Sequence, residues 1–218
     1  MKKYYKFDVD YELEVEAHSN GNIGFSLEKN LYKKYKKKIV NNLAIDKENI
    51  KYTDILKTGE LSLTGLVISN KLFDILNKFA GHKIQYTDII NEGIENYKFM
   101  FFNGDLTEKI DYQRSQFELK EYDLFEQKLI KTDYYLKPNR KSIIRKNGEL
   151  IDEAEILTKI IPKNGYVFKK RANIFQYDIL RIGYFDKNFY VSELVKSEIE
   201  KNGITGYLFG SEPIELSD

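Results

Sequence analysis

The sequence predicts an α+β protein: a mixed, largely antiparallel sheet with a few helices packed on it, containing two similar strand–Ser–helix–strand units. Three observations predict it. Apolar residues alternate with acids from Phe7 to Ala17, the period-two signature of a half-buried strand. Leu72, Ile75, Leu76 and Phe79 recur at helical spacing behind Ser69. Val195 and Ile199 stand behind Ser192 as Leu72 and Leu76 stand behind Ser69, which marks an internal duplication.

The elements follow in order. After the alternating strand, the Ser19-Asn20-Gly21-Asn22 cluster breaks the pattern. Leu31, Tyr35, Ile39 and Leu43 then form a helical stripe, with Lys33, Lys34, Lys36, Lys37 and Lys38 on the other faces. Leu66-Val67-Ile68 is a short apolar run before the first serine-headed helix, which Gly81 can end. Ile84 to Ile90 and Tyr97 to Phe102 read as strands around the Asn91-Glu92-Gly93 turn, and Leu124 to Ile130 alternates again. Lys137 to Lys146 reads as a basic loop or turn containing Pro138. Asp152 to Ile161 reads as a short helix stopped by Pro162. Tyr166 to Phe168, Tyr177 to Ile182 and Phe189 to Val191 are strand-like. The second serine-headed helix ends at Gly203, before a last strand, Gly206 to Phe209.

Composition narrows the function. The 218 residues suit one domain, 1–218, or two packed lobes, 1–120 and 121–218. Apolar residues make up 42% and charged residues 32%, the balance of a globular chain. The formal charge of +1 gives no global field for nucleic acid or membrane. Without cysteine there is no disulfide, thiol chemistry or zinc–sulfur site. His18 and His82 are the only histidines, and both read as surface or loop residues. No apolar segment follows Lys2 and Lys3, and no stretch approaches the ~18 apolar residues of a membrane span, so a cytoplasmic location is expected.

Candidate sites are few. Ser69 and Ser192 lack the Gly-x-Ser-x-Gly of a nucleophile elbow and read as structural helix caps. Asp111, Arg114 and Ser115 suit a hydrogen-bonded corner. No phosphate loop, metal-ligand spacing or His-based dyad is present, so no metal, cofactor or catalytic residue is expected. The unusual feature is acidic. Asp8, Asp10, Glu12, Glu14 and Glu16 share one side of a strand, where like charges repel by a few tenths of a kcal/mol per close pair. They read either as a solvated face or as a surface complementary to a basic partner.

The segment Asp178-Ile179-Leu180-Arg181-Ile182, then Phe189-Tyr190-Val191-Ser192, closing with Asn202-Gly203-Ile204-Thr205-Gly206, resembles one bacterial family: the polymorphic-toxin immunity proteins called immunity protein family eleven. Leu66-Val67-Ile68-Ser69 and its helix, and Ile110-Asp111-Tyr112-Gln113-Arg114-Ser115-Gln116-Phe117, are similar to segments of that family in the same order. The resemblance implies a cytoplasmic antitoxin, with no cofactor and no catalytic residues. It implies one partner, a cognate toxin encoded adjacently, which the acidic residues Asp8 to Glu16 are expected to meet. Neither nucleic acid nor membrane is expected as a partner, and the chain itself is expected to be a monomer or weak homodimer. Two alternatives stand beside this: a nucleic-acid-binding regulator using the Lys33–Lys38 helix, and a small carboxylate-dependent hydrolase.

Overall fold

The computed structural model describes residues 2–10, 52–56, 65–88, 95–102, 104, 106–123, 128–147, 150–151, 156–183, 186–211, 213–214 and 216–217. In chain order these form β1 (Tyr4–Val9), β2 (Ile55–Leu56), β3 (Gly65–Ser69), α1 (Asn70–Leu76), β4 (Ile84–Asp88) and β5 (Tyr97–Phe102). Next come β6 (Phe117–Asp123), β7 (Leu129–Tyr134), α2 (Arg140–Lys146), β8 (Leu150–Ile151), β9 (Ile156–Pro162) and β10 (Tyr166–Val167). The chain closes with β11 (Ile179–Gly183), β12 (Asp186–Ser192), α3 (Glu193–Lys201), β13 (Tyr207–Phe209) and β14 (Leu216–Ser217). Three antiparallel sheets have the orders β2-β3-β5-β4, β11-β12-β1-β13 and β7-β6-β9-β8, and β10 pairs in parallel with β14. The architecture is α+β.

The first two sheets are the two serine-headed units, and they correspond residue by residue. Ile55 pairs with Ile68 as Ile179 pairs with Val191. Ser69 pairs with Tyr97 as Ser192 pairs with Tyr4. The serine hydroxyl donates to a carboxylate preceding the first strand of its unit: Ser69 to Asp54 at 2.6 Å, Ser192 to Asp178 at 2.9 Å. The same oxygens accept the helix N–H groups of Leu72 at 3.1 Å and Val195 at 3.5 Å. The tyrosine opposite each serine donates to the carbonyl before that aspartate, Tyr97 to Thr53 at 2.7 Å and Tyr4 to Tyr177 at 2.8 Å. The second unit is therefore a circular permutation of the first. In the first, the tyrosine strand β5 follows β4; in the second, the equivalent strand is β1, from the start of the chain.

The units also hold each other. The Asp54 N–H donates to the Thr205 carbonyl at 3.1 Å, just beyond α3, and the Asp178 N–H donates to the Ala80 carbonyl at 2.6 Å, just beyond α1. Such reciprocity is the mark of twofold pairing. It encloses one core built from both units: Phe7, Ile55, Ile68, Leu72, Leu76, Met100, Val191, Val195 and Ile199. Gly206 sits in this contact with φ +78°, and a Cβ there would lie 2.4 Å from the Thr53 hydroxyl, so only glycine fits.

The opposite face of the β11-β12-β1-β13 sheet is also covered, over β11, β12 and the start of β1. Tyr4, Leu180, Ile182 and Tyr190 pack with Phe117, Ile143, Ile160, Phe168 and Ile174 in a second core. Burial on both faces explains why β11 is a nearly unbroken apolar run instead of an alternating one.

Several expected elements take another form. Lys137 to Lys146 is not a loop throughout: Arg140–Lys146 is helical, because Asn139 and Ser142 form a reciprocal capping box after Pro138. Ile156–Pro162 is a strand and not a helix; Ile156, Thr158, Ile160 and Ile161 are β-branched, and the segment pairs with β6 along its whole length. The alternation at Leu124 to Ile130 is divided, with β7 starting at Leu129 and residues 124–127 outside the described set. A division near residue 120 falls inside β6, and β1 belongs to the sheet of the last strands. The lysine-rich helix around Lys33–Lys38, the Ser19–Asn22 break, the Asn91–Gly93 turn and His18 lie outside the described residues.

Leu76 and Ile199 occupy equivalent buried positions in the shared core, 1% and 0% exposed. Leu76→Ala and Ile199→Ala should each cost about 2–5 kcal/mol, read as a fall in the denaturant midpoint.

Candidate protein-binding surface

Of the acidic run, Asp8 and Asp10 lie among the described residues; Glu12, Glu14 and Glu16 lie outside them. β1 is an interior strand, between β12 and β13. Phe7 and Val9 enter the shared core, so Lys6 and Asp8 take the other face. There the Lys6 ammonium lies 3.1 Å from the Asp8 carboxylate. Across the ladder Asp8 stands opposite Leu208, which is exposed. The Asp10 N–H donates to the Gly206 carbonyl at 3.1 Å. The described end of the acidic run is thus a mixed patch, with a lysine on its own strand and an exposed leucine beside it.

Ser69 and Ser192 are helix N-caps, each also bound to its aspartate as described above. Asp111, Arg114 and Ser115 form a corner. The Asp111 carboxylate accepts the N–H groups of Gln113 at 3.2 Å and Arg114 at 3.1 Å, and the Ser115 hydroxyl accepts the Val167 N–H at 3.0 Å. His82 lies in the loop between α1 and β4, one of the two settings expected for it, but it is not a surface residue, being 4% exposed. Its backbone N–H donates to the Ile179 carbonyl at 2.8 Å and its ring meets Tyr177 edge-on at 4.9 Å, which draws it into the contact between the units.

Among the described residues no group of three or more His, Cys, Asp or Glu side chains is arranged to hold a metal ion. A part-buried cluster centres on Asp186, which accepts the hydroxyls of Tyr166 and Tyr190, both at 2.8 Å, and the Asn188 N–H at 3.1 Å. Burial, and then the Asp186 charge, push both tyrosines well above their usual range. They remain protonated donors, and the cluster clamps β10 to β12. Sequence reading missed it because Tyr166 reaches Asp186 and Tyr190 of β12 from a different strand, β10.

The largest apolar exposure is on the third sheet. β7 is an edge strand, exposed along all six residues. Leu129, Ile130 and Tyr134, with Leu136 just beyond, are 45–82% exposed. Lone surface apolar residues are ordinary, but four within eight positions on one sheet edge form a patch suited to a protein contact. The edge carries two charges, Lys131 and Asp133, paired at 2.6 Å. No sequence signal marked this strand beyond its mild alternation.

The fold and these surfaces define an α+β protein of two cross-latched units and a third sheet. The sequence matches no protein-family model and no curated protein. Among the described residues, no helix is long and apolar enough to cross a membrane.

The latch tyrosines give the fold an alkaline limit. Burial, then the Asp54 charge and Tyr52, push Tyr97 up to about 12; burial and then Asp178 raise Tyr4 further still. The unfolded chain releases these protons near the ordinary tyrosine value of about 10, while the folded chain holds them. The stability from these groups is therefore complete below about pH 10 and lost as pH climbs towards 12 and beyond. Tyr97→Phe should flatten part of this alkaline loss, while costing about 1 kcal/mol at neutral pH from the unpaired Thr53 carbonyl. Denaturant unfolding at several pH values reads both effects.

Proposed function

We propose that this chain is an immunity-type protein that binds a cognate bacterial toxin and neutralises it by occlusion, with no catalysis of its own. The observation that carries this reading is where the motifs of the resemblance sit. The segments ending in Ser69 and Ser192 head the two units. The Gly203–Gly206 turn supplies Thr205 to the latch on Asp54. The Asp111–Ser115 segment builds the corner against β10. All of them make scaffold, as motifs shared by binding proteins with different partners would, and this leaves surface residues to recognise the toxin.

The toxin-facing surface is assigned to the acidic start of the chain: Asp8 and Asp10, continuing through Glu12, Glu14 and Glu16. Leu208, beside Asp8, supplies an apolar anchor. Such a surface suits a basic toxin and acts mainly on encounter rate and register, since charge complementarity steers association more than it adds affinity.

Co-expression with the adjacently encoded toxin should rescue growth and yield a co-purifying complex. Neither would occur if the protein acts elsewhere. Replacing Asp10, Glu12 and Glu14 by Asn, Gln and Gln should slow association about tenfold or more at low salt, with a smaller effect at high salt. Association as fast as wild type at low ionic strength would remove the acidic face from the interface.

A further inference from the structure

We infer that β7 is a self-association edge, at which a second copy of this chain adds its own β7 in antiparallel register to make an eight-stranded sheet across a twofold axis. This does not depend on the toxin reading. It starts from the direction of the backbone groups. The Tyr135 N–H donates to the Phe117 carbonyl on β6 at 2.9 Å. With the ladder pairing Glu118 to Tyr134, Leu119 to Asp133 and Lys120 to Thr132, the backbone groups of Asp133 point to β6 and those of Thr132 and Tyr134 point outward. Among the described residues no strand lies on that outer side.

The sequence of β7, Leu129-Ile130-Lys131-Thr132-Asp133-Tyr134, is complementary to itself when reversed about Thr132. In that register Thr132 meets Thr132, Ile130 meets Tyr134, and Lys131 meets Asp133, each of the last two pairs occurring twice. These are favourable cross-strand pairs: threonine with threonine, aromatic with β-branched, and opposite charges. The register also places the outward N–H and C=O of Thr132 against those of its copy, as a hydrogen-bonded pair requires. Centring on Lys131 or Asp133 would instead oppose like charges and turn the wrong backbone groups to the partner. One register is therefore selected by hydrogen bonding and by charge together, and the exposed Ile130 and Tyr134 are covered within it.

A strand edge of this length buries little area, so the dimer forms with concentration instead of being obligate. Sedimentation of the purified chain should shift from monomer to dimer between micromolar and millimolar concentration. Lys131→Asp and Asp133→Lys each oppose like charges across the axis, and each alone should weaken self-association about tenfold or more. Mixing these two variants restores both opposite-charge pairs across the axis, so the mixture should form a one-to-one dimer. Asp133 stands opposite Leu119 on β6 and its pair with Lys131 is solvent-exposed, so the thermal melt of Asp133→Lys should match wild type; Lys131 stands opposite Glu121, so Lys131→Asp should melt slightly lower while remaining folded. A wild-type chain that stays monomeric throughout this range would overturn the inference and leave Lys131 and Asp133 as charges that protect the edge. A dimer equally strong in both single variants would overturn it too.

Discussion

The structure depends on one arrangement made twice: an aspartate whose carboxylate receives the serine that caps a helix, while its backbone N–H reaches into the other unit. At Asp54 and Asp178 this joins three levels of structure at one residue. The serine fixes where strand becomes helix, the tyrosine opposite fixes strand register, and the backbone bond fixes one unit against the other. Hydrogen bonds to a carboxylate are stronger than neutral ones, and here they sit at the margin of the shared core. The two latches are not identical. The second Asp54 oxygen accepts the Thr205 N–H and hydroxyl, whereas Asp178 is met by the Lys2 ammonium at 2.7 Å. Thr205 comes from the opposite unit, whereas Lys2 comes from the same unit and shares its Asp178 oxygen with Ser192.

The permutation of the second unit brings the two ends of the described chain together. β1 completes a sheet whose other strands begin only at Ile179. Its pairing with β12 and β13 closes a very long loop, and non-local pairings of this kind slow folding. The first unit is local by comparison, because its strands and helix follow one another within residues 54–102. Between the two units the chain builds the third sheet with its exposed edge β7.

Much of the paired-unit design was legible. Ser69 and Ser192 with their following apolar residues are local signals, since a cap and a helical stripe are written within one segment. The recurrence of Asp-Ile-Leu at 54–56 and 178–180 was equally visible and went unread, although it marks the latch residue of each unit. What the sequence hid was long-range. Nothing in β1 says that its partners lie near the other end of the chain. In Ile156–Pro162 the β-branched residues were a strand signal, but β6, the strand that the segment pairs with, is remote in sequence. The α2 helix was masked by its charge and by Pro138, while its capping box was present in Asn139 and Ser142. Of the acidic run, only the part containing Asp8 and Asp10 meets described structure, where Lys6 partly balances it.

If the reciprocal latches make the two units one cooperative body, the units cannot open separately. Native-state hydrogen exchange measures this directly at the amides of Leu72 and Val195, which the two serines cap, and of Asp54 and Asp178, which cross between units. All four should exchange through one opening, with the free energy of global unfolding and the same denaturant dependence. Exchange of the Leu72 and Asp54 amides through a separate and cheaper opening, while Val195 and Asp178 stay protected, would contradict the account.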